Sequence, residues 1–366
     1  MSELAAPHIL ALTAYEPGKP ADELTRELGI EDVVKLASNE NPYGPSQRAI
    51  EAVSGASLAL HRYPDPRGYE LRHALAAHHG VRAEEIGLGN GSNELIDLIC
   101  RVCASRAEHA VFGHPSFPCY RIASIAQELD HTAVALRDHL HWNVDDLLDA
   151  VTPATKLMFV ANPNNPTGSY ISGPELERLL RSLPERVLAV VDEAYVEYAD
   201  AADFKPATEL RGARERLAVL RTFSKAYGLA ALRVGYVIGT PELIGHLDRL
   251  RAPFNVGTAG QVGARSALED QAHLRASVEA TIRDRHKLTA ALEAEGLRVA
   301  PSQANFVLVD VSRPGRAVYE ALLQKGIIVR PMPEPLASWI RVTVGLPREN
   351  ERFLEALRAV LRRARV

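Results

Sequence analysis

Cysteine is scarce: the 366 residues contain three, Cys100, Cys103 and Cys119. An odd and sparse set excludes a disulfide framework. Cys100 and Cys103 form a C-x-x-C, but it lies inside the apolar run LIDLICRVCA. There it reads as two small residues on adjacent turns of a buried helix, not as a redox or metal pair. Long apolar runs are also missing, and none approaches the roughly 20 residues that a membrane span needs. The N-terminus, MSELAAPHILAL, lacks the basic start and small-residue cleavage site of a signal peptide, so a cytoplasmic location is expected. Neither charge dominates: 42 Lys and Arg stand against 46 Asp and Glu, a net charge of −4. That balance carries no electrostatic footprint for nucleic acid. The basic terminus LRRARV suits the negative end of a final helix. His78, His79, His139 and His141 have no partners at metal-ligand spacing, so no metal is expected. Repeats and low-complexity stretches are absent.

What is present is a large apolar fraction, 46% of residues, with 24% charged. The length suggests about two domains. Short apolar runs at 85–89, 109–112, 132–135, 157–161, 187–191, 217–220 and 233–238 read as strands. Helix-like segments lie between many of them, namely NELIDLICRVCA, PELERLLRSL and AYGLAAL. Strand–helix alternation predicts an α/β fold with a mostly parallel sheet between helices, which binds ligands at the strands' carboxyl ends. After about residue 255 a long helical stretch (260–296) leads to NFVLVD, GIIVRP, WIRVTVG and a last helix, the pattern of a smaller α+β domain. The expected division is an N-terminal segment (1–40), a large domain (41–255) and a small domain (256–366). The N-terminal segment, spotted with Pro and Gly, is expected to pack on the small domain or across the active site.

Four segments carry chemistry. In VLAVVDEAYVEY an apolar strand ends in Asp192, and a carboxylate there needs a cationic partner. A salt bridge or helix cap is the plain reading; a protonated ring nitrogen is the functional one. In LAVLRTFSKAYGLAALRVGY, Lys225 follows a strand, where it is either a surface residue or a desolvated amine suited to Schiff-base chemistry. Thr222, Ser224 and Arg233 surround it in sequence, and Arg233 could meet a phosphate. In EIGLGNGSNELIDL a helix starts at Gly91, Ser92 and Asn93, and its free amides favour an anion. The dinucleotide fingerprint G-x-G-x-x-G is absent. In FVANPNNPTGSY a rigid turn presents Asn164 and Asn165 just past a strand.

Together these segments resemble the fold-type-I pyridoxal-phosphate aminotransferases over nearly the whole chain. The resemblance is strongest to the histidinol-phosphate aminotransferase branch, through LASNENPYGPS, RYPDPRGYELRHALA, GNGSNELID, NPNNPTG, DEAYVEY, RTFSKAYGLAALRVGY, PSQANFVLV and IRVTVG. It implies a seven-stranded large domain, and pyridoxal 5'-phosphate held as a Schiff base on Lys225. Asp192 would pair with the ring nitrogen, Tyr195 and Asn165 would bond the ring's phenolic oxygen, and Phe117 would stack on the ring. Gly91, Ser92, Asn93, Thr222, Ser224 and Arg233 would surround the cofactor phosphate. Tyr63 would reach that phosphate from a second subunit, which implies a homodimer with shared sites. Arg341 would hold a substrate carboxylate through a bidentate fork, and Tyr15, Asn41 and Arg352 would lie near the substrate's side chain or phosphate. The implied reaction moves an amino group between histidinol phosphate and 2-oxoglutarate.

Two positions depart from the pattern. Phe117 and Phe254 stand where many members have tyrosine, which loosens selection for a polar substrate. The aromatic aminotransferase branch shares DEAYVEY, RTFSKAYGLA and PSQANF, although ASNENPYGPS fits the histidinol-phosphate branch better. Amino-acid-phosphate decarboxylases share the fold and lysine. Transcription regulators with this fold carry a DNA-binding domain ahead of it, and no basic helix-turn-helix precedes LASNEN.

Overall fold

The computed structural model describes residues 4–14 and 18–363. Its strands are β1 (Val34–Lys35), β2 (Ile86–Gly89), β3 (His109–His114), β4 (Asp130–Ala135), β5 (Thr155–Ala161), β6 (Leu188–Asp192), β7 (Leu217–Thr222), β8 (Gly235–Ile238), β9 (Arg298–Ala300), β10 (Phe306–Asp310), β11 (Ile327–Ile328), β12 (Arg330–Pro331) and β13 (Trp339–Thr343). The seven expected strands of the first part, β2 to β8, form one sheet in the order β2-β8-β7-β6-β5-β3-β4. All run parallel except β8, which is antiparallel to both β2 and β7.

The central strands read as unbroken apolar runs because both of their faces are covered. Every residue of β6 and β7 is buried, whereas edge strand β4 has no buried residue. Side chains alternate with the pleat. Val191, Val219 and Tyr236 enter one core, and Val190, Leu220 and Val237 enter the other. On the first face, next to the strand ends, lies a buried ion pair. Arg221 Nε donates to Glu193 Oε2 at 2.8 Å, and Glu193 Oε1 accepts the Ala207 amide at 2.5 Å. Burial pushes the Glu193 carboxyl up, and the Arg221 guanidinium beside it opposes that shift.

The second part is a four-stranded sheet, β12-β13-β10-β9, antiparallel throughout. The N-terminal segment packs beside it in a separate two-stranded sheet, where β1 pairs in parallel with β11, Val34 facing Ile327. Two helical expectations need correction. The stretch 260–296 is not one helix but two, Thr258–Glu269 and Gln271–Ala294. Asp270 separates them, and its carboxylate caps the second by accepting the His273 amide. The segment AYGLAAL, expected to be helical, is a turn followed by one short 3-10 turn at Ala230–Leu232. The cause is Gly228, held at φ +69°, where a Cβ would meet the Gly44 carbonyl at 2.5 Å. No side chain fits that approach, and the left-handed backbone breaks a helix. We propose the divisions near residues 40 and 255 as the partition of the chain. The helix Thr258–Glu269 packs back on the larger part, against helices Gln47–Ala56 and Tyr69–His79.

Candidate active site

Because β8 runs against its neighbours, its start and the carboxyl ends of β2, β3, β5, β6 and β7 meet along one edge of the sheet. A cavity opens there, as expected for a doubly wound sheet. Its walls include Ser92 and Asn93 after β2, Phe117 and Tyr120 after β3, and Pro163 and Asn165 after β5. Asp192 and Tyr195 follow from β6, Thr222, Ser224 and Lys225 from β7, and Arg233 stands before β8. The N-terminal segment closes one side with Gly18 and Ala37 to Asn39, and the second sheet contributes Arg330 and Arg341. Segments far apart in sequence therefore supply one set of donors, acceptors and charges.

Lys225 Nζ donates to the Ser38 carbonyl at 3.1 Å and lies 5.7 Å from the centre of the Tyr195 ring. Burial lowers its pKa from 10.5 to about 8, with Arg341 and Arg233 assisting and Glu40 and Asp192 opposing. Asp192, 4% exposed, accepts the Tyr120 hydroxyl at 2.8 Å and the Ala194 amide at 3.2 Å. Burial raises this carboxyl to about 6, against the two hydrogen bonds and the Lys225 charge. An amine with a depressed pKa and a buried carboxylate thus face one space, the kind of perturbed pair found where catalysis occurs.

The other end of the cavity suits an anion. The helix Ser92–Cys103 starts at Gly91, whose φ is +78°. A Cβ at Gly91 would stand 2.6 Å from Arg233 Nη2, so glycine lets the guanidinium close on the helix start. Arg233 Nη1 reaches Ser224 Oγ at 3.3 Å, and Thr222 Oγ1 accepts the Ser224 amide at 3.1 Å. Helix amides, hydroxyls and a guanidinium converge in the manner of a phosphate cradle.

Some expected residues stand elsewhere. Asn41 does not line the cavity. Its Nδ2 donates to the Ala226 carbonyl at 2.8 Å and so holds the chain just after Lys225. Arg352 is not in the site either; it pairs with Asp32 of the N-terminal segment at 2.6 Å. Gly91 shapes the cavity without lining it. Tyr63 is 81% exposed, stacks on Phe254 at 4.5 Å, and lies outside its own chain's cavity. Tyr15 lies outside the described residues.

Sequence reasoning passed over Tyr120, Arg330 and Asn39. Asn39 is buried at φ +56° and donates from Nδ2 to the Tyr195 hydroxyl at 2.9 Å. Its Oδ1 accepts from Thr343 Oγ1 at 3.1 Å, and its carbonyl accepts from Asn305 at 3.0 Å. It therefore ties the N-terminal segment to both sheets at the site. An adjoining chamber of about 690 Å³ shares Phe117, Asn165, Arg330 and Arg341 with the cavity. Phe112, Ile122, Ile125, Met332 and Leu336 give it apolar walls, and residues 11–14 border it.

The fold and the site define an α/β transferase that handles amino and anionic groups. Residues 31–357 match the model of the family described as aminotransferase class I and II, and the chain belongs to that family. It is 44% identical over 360 residues to a histidinol-phosphate aminotransferase of Anaeromyxobacter sp. (strain Fw109-5), covering 98% of this chain and 99% of the relative. It is also 44% identical to histidinol-phosphate aminotransferase 2 of Pseudomonas aeruginosa, with 98% of each covered. Among solved structures, the histidinol-phosphate aminotransferase of Sinorhizobium meliloti in complex with pyridoxal-5'-phosphate matches with a TM-score of 0.90 and 29% identity. That match covers 100% of this chain and 99% of the other.

Proposed function

We propose that the chain is a pyridoxal-phosphate-dependent histidinol-phosphate aminotransferase, located in the cytoplasm. The residues fit the cofactor. Lys225 supplies an amine that is neutral enough to react, and Asp192 a buried carboxylate for the ring nitrogen. Ser92, Asn93, Thr222, Ser224 and Arg233 supply the anion cradle, with Gly91 leaving room for it. When bound, the cofactor supplies an aldehyde for amine exchange and a ring that takes up negative charge as the α-proton leaves.

The chain's own groups do the rest. Lys225 would hold the cofactor through its Nζ, and the same amine is placed to move the substrate's α-proton as base and then as acid. Asp192 would face the ring nitrogen and favour a proton there. Arg341 Nη1 donates to Asn165 Oδ1, which orients the Asn165 amide so that its Nδ2 can donate to the ring's phenolic oxygen. Tyr195 accepts from Asn39 and lines the cavity where its hydroxyl would meet the same oxygen. Phe117 lines the cavity where it would lie against the ring.

The observation that carries the substrate reading is the pair Arg330 and Arg341, shared by the cavity and the apolar chamber beside it. One guanidinium serves the carboxylate of glutamate, and two allow a substrate with a phosphate at one end and an imidazole against apolar walls. The test compares kcat/KM for histidinol phosphate and for phenylalanine, with 2-oxoglutarate as acceptor. The reading expects histidinol phosphate to win; a preference for phenylalanine favours the aromatic branch, and release of CO2 in place of a keto product favours a decarboxylase.

The same proposal includes a homodimer with shared sites. Leu58, Leu60, Tyr63 and Tyr69 are 58–86% exposed, and Ile50 and Phe254 are exposed as well. Tyr63 stacks on Phe254, and exposed apolar groups of this kind support an interface with a second copy. In the dimer Tyr63 would reach the partner's phosphate cradle. Mixing an inactive Lys225→Ala chain with an inactive Tyr63→Ala chain should restore part of the activity, because one of the two sites in the mixed dimer is then intact.

A further inference from the structure

We propose that Tyr120 is a positioning residue for the reaction, whose buried hydroxyl holds Asp192 as the carboxylate anion that keeps the cofactor's ring nitrogen protonated. The inference rests on the reading of Asp192 given above and adds a residue to it.

Tyr120 is fully buried, and its hydroxyl lies 2.8 Å from Asp192 Oδ2. An ionised carboxylate has no hydrogen to give, so the phenol is the donor. Burial pushes the Tyr120 phenol well above its ordinary range, so the hydrogen stays on it. The ring is clamped. It stacks on Phe159 with centroids 5.0 Å apart and planes 11° apart, and it meets Phe117 edge-on at 5.8 Å. Its backbone is fixed as well, since Ser124 Oγ donates to the Tyr120 carbonyl at 2.8 Å. Phe117 and Tyr120 flank the start of the helix Cys119–Ala126. A single short segment therefore sets the aromatic face above the ring and the donor behind the carboxylate.

The chemistry follows from what the bond acts on. One proton is shared between Asp192 and the ring nitrogen, and it lies either on nitrogen, leaving a carboxylate, or on oxygen, leaving a neutral acid. Burial favours the neutral pair. The Tyr120 hydroxyl and the Ala194 amide stabilise only the carboxylate, and so return the proton to nitrogen. Arg221, on the neighbouring strand, is committed to Glu193 on the opposite face of the sheet and does not serve Asp192. Without the phenol hydrogen, the proton moves towards the carboxylate and the ring withdraws electrons less well.

The test is Tyr120→Phe in the holoenzyme, loaded with cofactor labelled at the ring with nitrogen-15, beside wild type and Asp192→Asn. The readouts are the nitrogen chemical shift and the cofactor dissociation constant. Wild type should show a protonated ring nitrogen and Asp192→Asn an unprotonated one. Tyr120→Phe should lie between them, with the dissociation constant raised roughly tenfold, the loss expected for a hydrogen bond to a charged group. In the Asp192→Asn background the same change should add almost nothing to that loss. If Tyr120→Phe keeps the wild-type nitrogen shift while Asp192→Asn loses it, the Tyr120 proposal falls and the reading of Asp192 stands. If Asp192→Asn also keeps the wild-type shift, the reading of Asp192 falls first. A lower Tm with an unmoved nitrogen shift marks a merely structural tyrosine and overturns the proposal. Should the phenylalanine variant not fold, 3-fluorotyrosine at position 120, a stronger donor of nearly the same shape, should lower the dissociation constant. An unchanged constant there overturns it equally.

Discussion

The amine of Lys225 should be reactive near neutral pH in the cofactor-free protein. Its pKa falls from 10.5 to about 8 through burial first and the Arg341 charge second. Only the neutral amine attacks an electrophile, and the neutral fraction rises with pH. Near pH 7.5 a pKa of about 8 leaves about a quarter of the amine neutral, against about one part in a thousand for an ordinary lysine. Lys225 should therefore acylate roughly 200-fold faster than that fraction would allow at an unshifted lysine. Competitive labelling of the apo-protein with acetic anhydride, read peptide by peptide, gives the midpoint. Arg341→Met removes the second-largest cause and should move the midpoint upward. Folding stability gives an independent reading. Between about pH 8 and 10.5 the unfolded chain holds a proton on Lys225 that the native chain has released, so stability from this group rises with pH across that window. Below it the native state carries the cost of a buried charge, about 3 kcal/mol for a shift of this size. Lys225→Met should then stabilise the apo-protein near pH 7 by an amount of that order, and the advantage should vanish as pH approaches 10.5. A labelling midpoint near 10.5, with no stabilisation in the methionine variant, would refute the reasoning.

Three further outcomes follow from the geometry. Gly91→Ala places a Cβ against Arg233 Nη2 in a left-handed backbone; cofactor affinity should fall about tenfold or more in a fluorescence titration, as for a lost charged hydrogen bond. Arg341→Lys keeps the charge but loses the planar fork, so KM for glutamate should rise about tenfold while the cofactor dissociation constant stays near wild type. Arg221→Met leaves Glu193 charged and buried without its partner, which should lower stability by about 3–5 kcal/mol in thermal unfolding. Adding Glu193→Gln should recover part of that loss.

The strands were legible because their environment is simple. In β5, β6 and β7 both faces are covered, so each appears as a bare apolar run ending at a polar residue, and Asp192 and Thr222 could be placed from that pattern alone. The failures have specific causes. AYGLAAL has helical composition, but the close approach of Gly228 to Gly44 is a contact between segments more than 180 residues apart, and no local pattern encodes it. The stretch 260–296 keeps an amphipathic texture through Asp270, and only the cap formed with His273 divides it. Asn39 and Asn41 stand two residues apart in LASNENP. The left-handed backbone at Asn39, locked by Thr343 and Asn305, turns that side chain to Tyr195 and leaves Asn41 to the chain behind Lys225.

Tyr120 was missed for a different reason, and the reason bears on how the site is built. Its position three residues after Phe117 was visible, but a tyrosine in an apolar helix reads as core, and by burial it is core. Its function lies wholly in one hydroxyl directed at the last residue of β6. The same holds for Asn39, whose amide meets Tyr195. The groups that face the cavity come from strand ends, where sequence patterns are strong. Those that hold them come from the opening turn of one helix and from a loop of the N-terminal segment, where composition is ordinary. A substitution at either supporting residue would therefore leave Lys225, Asp192 and the phosphate cradle in place. Its effect should appear in the protonation of Asp192 or the orientation of Tyr195, and cofactor affinity should fall as a consequence.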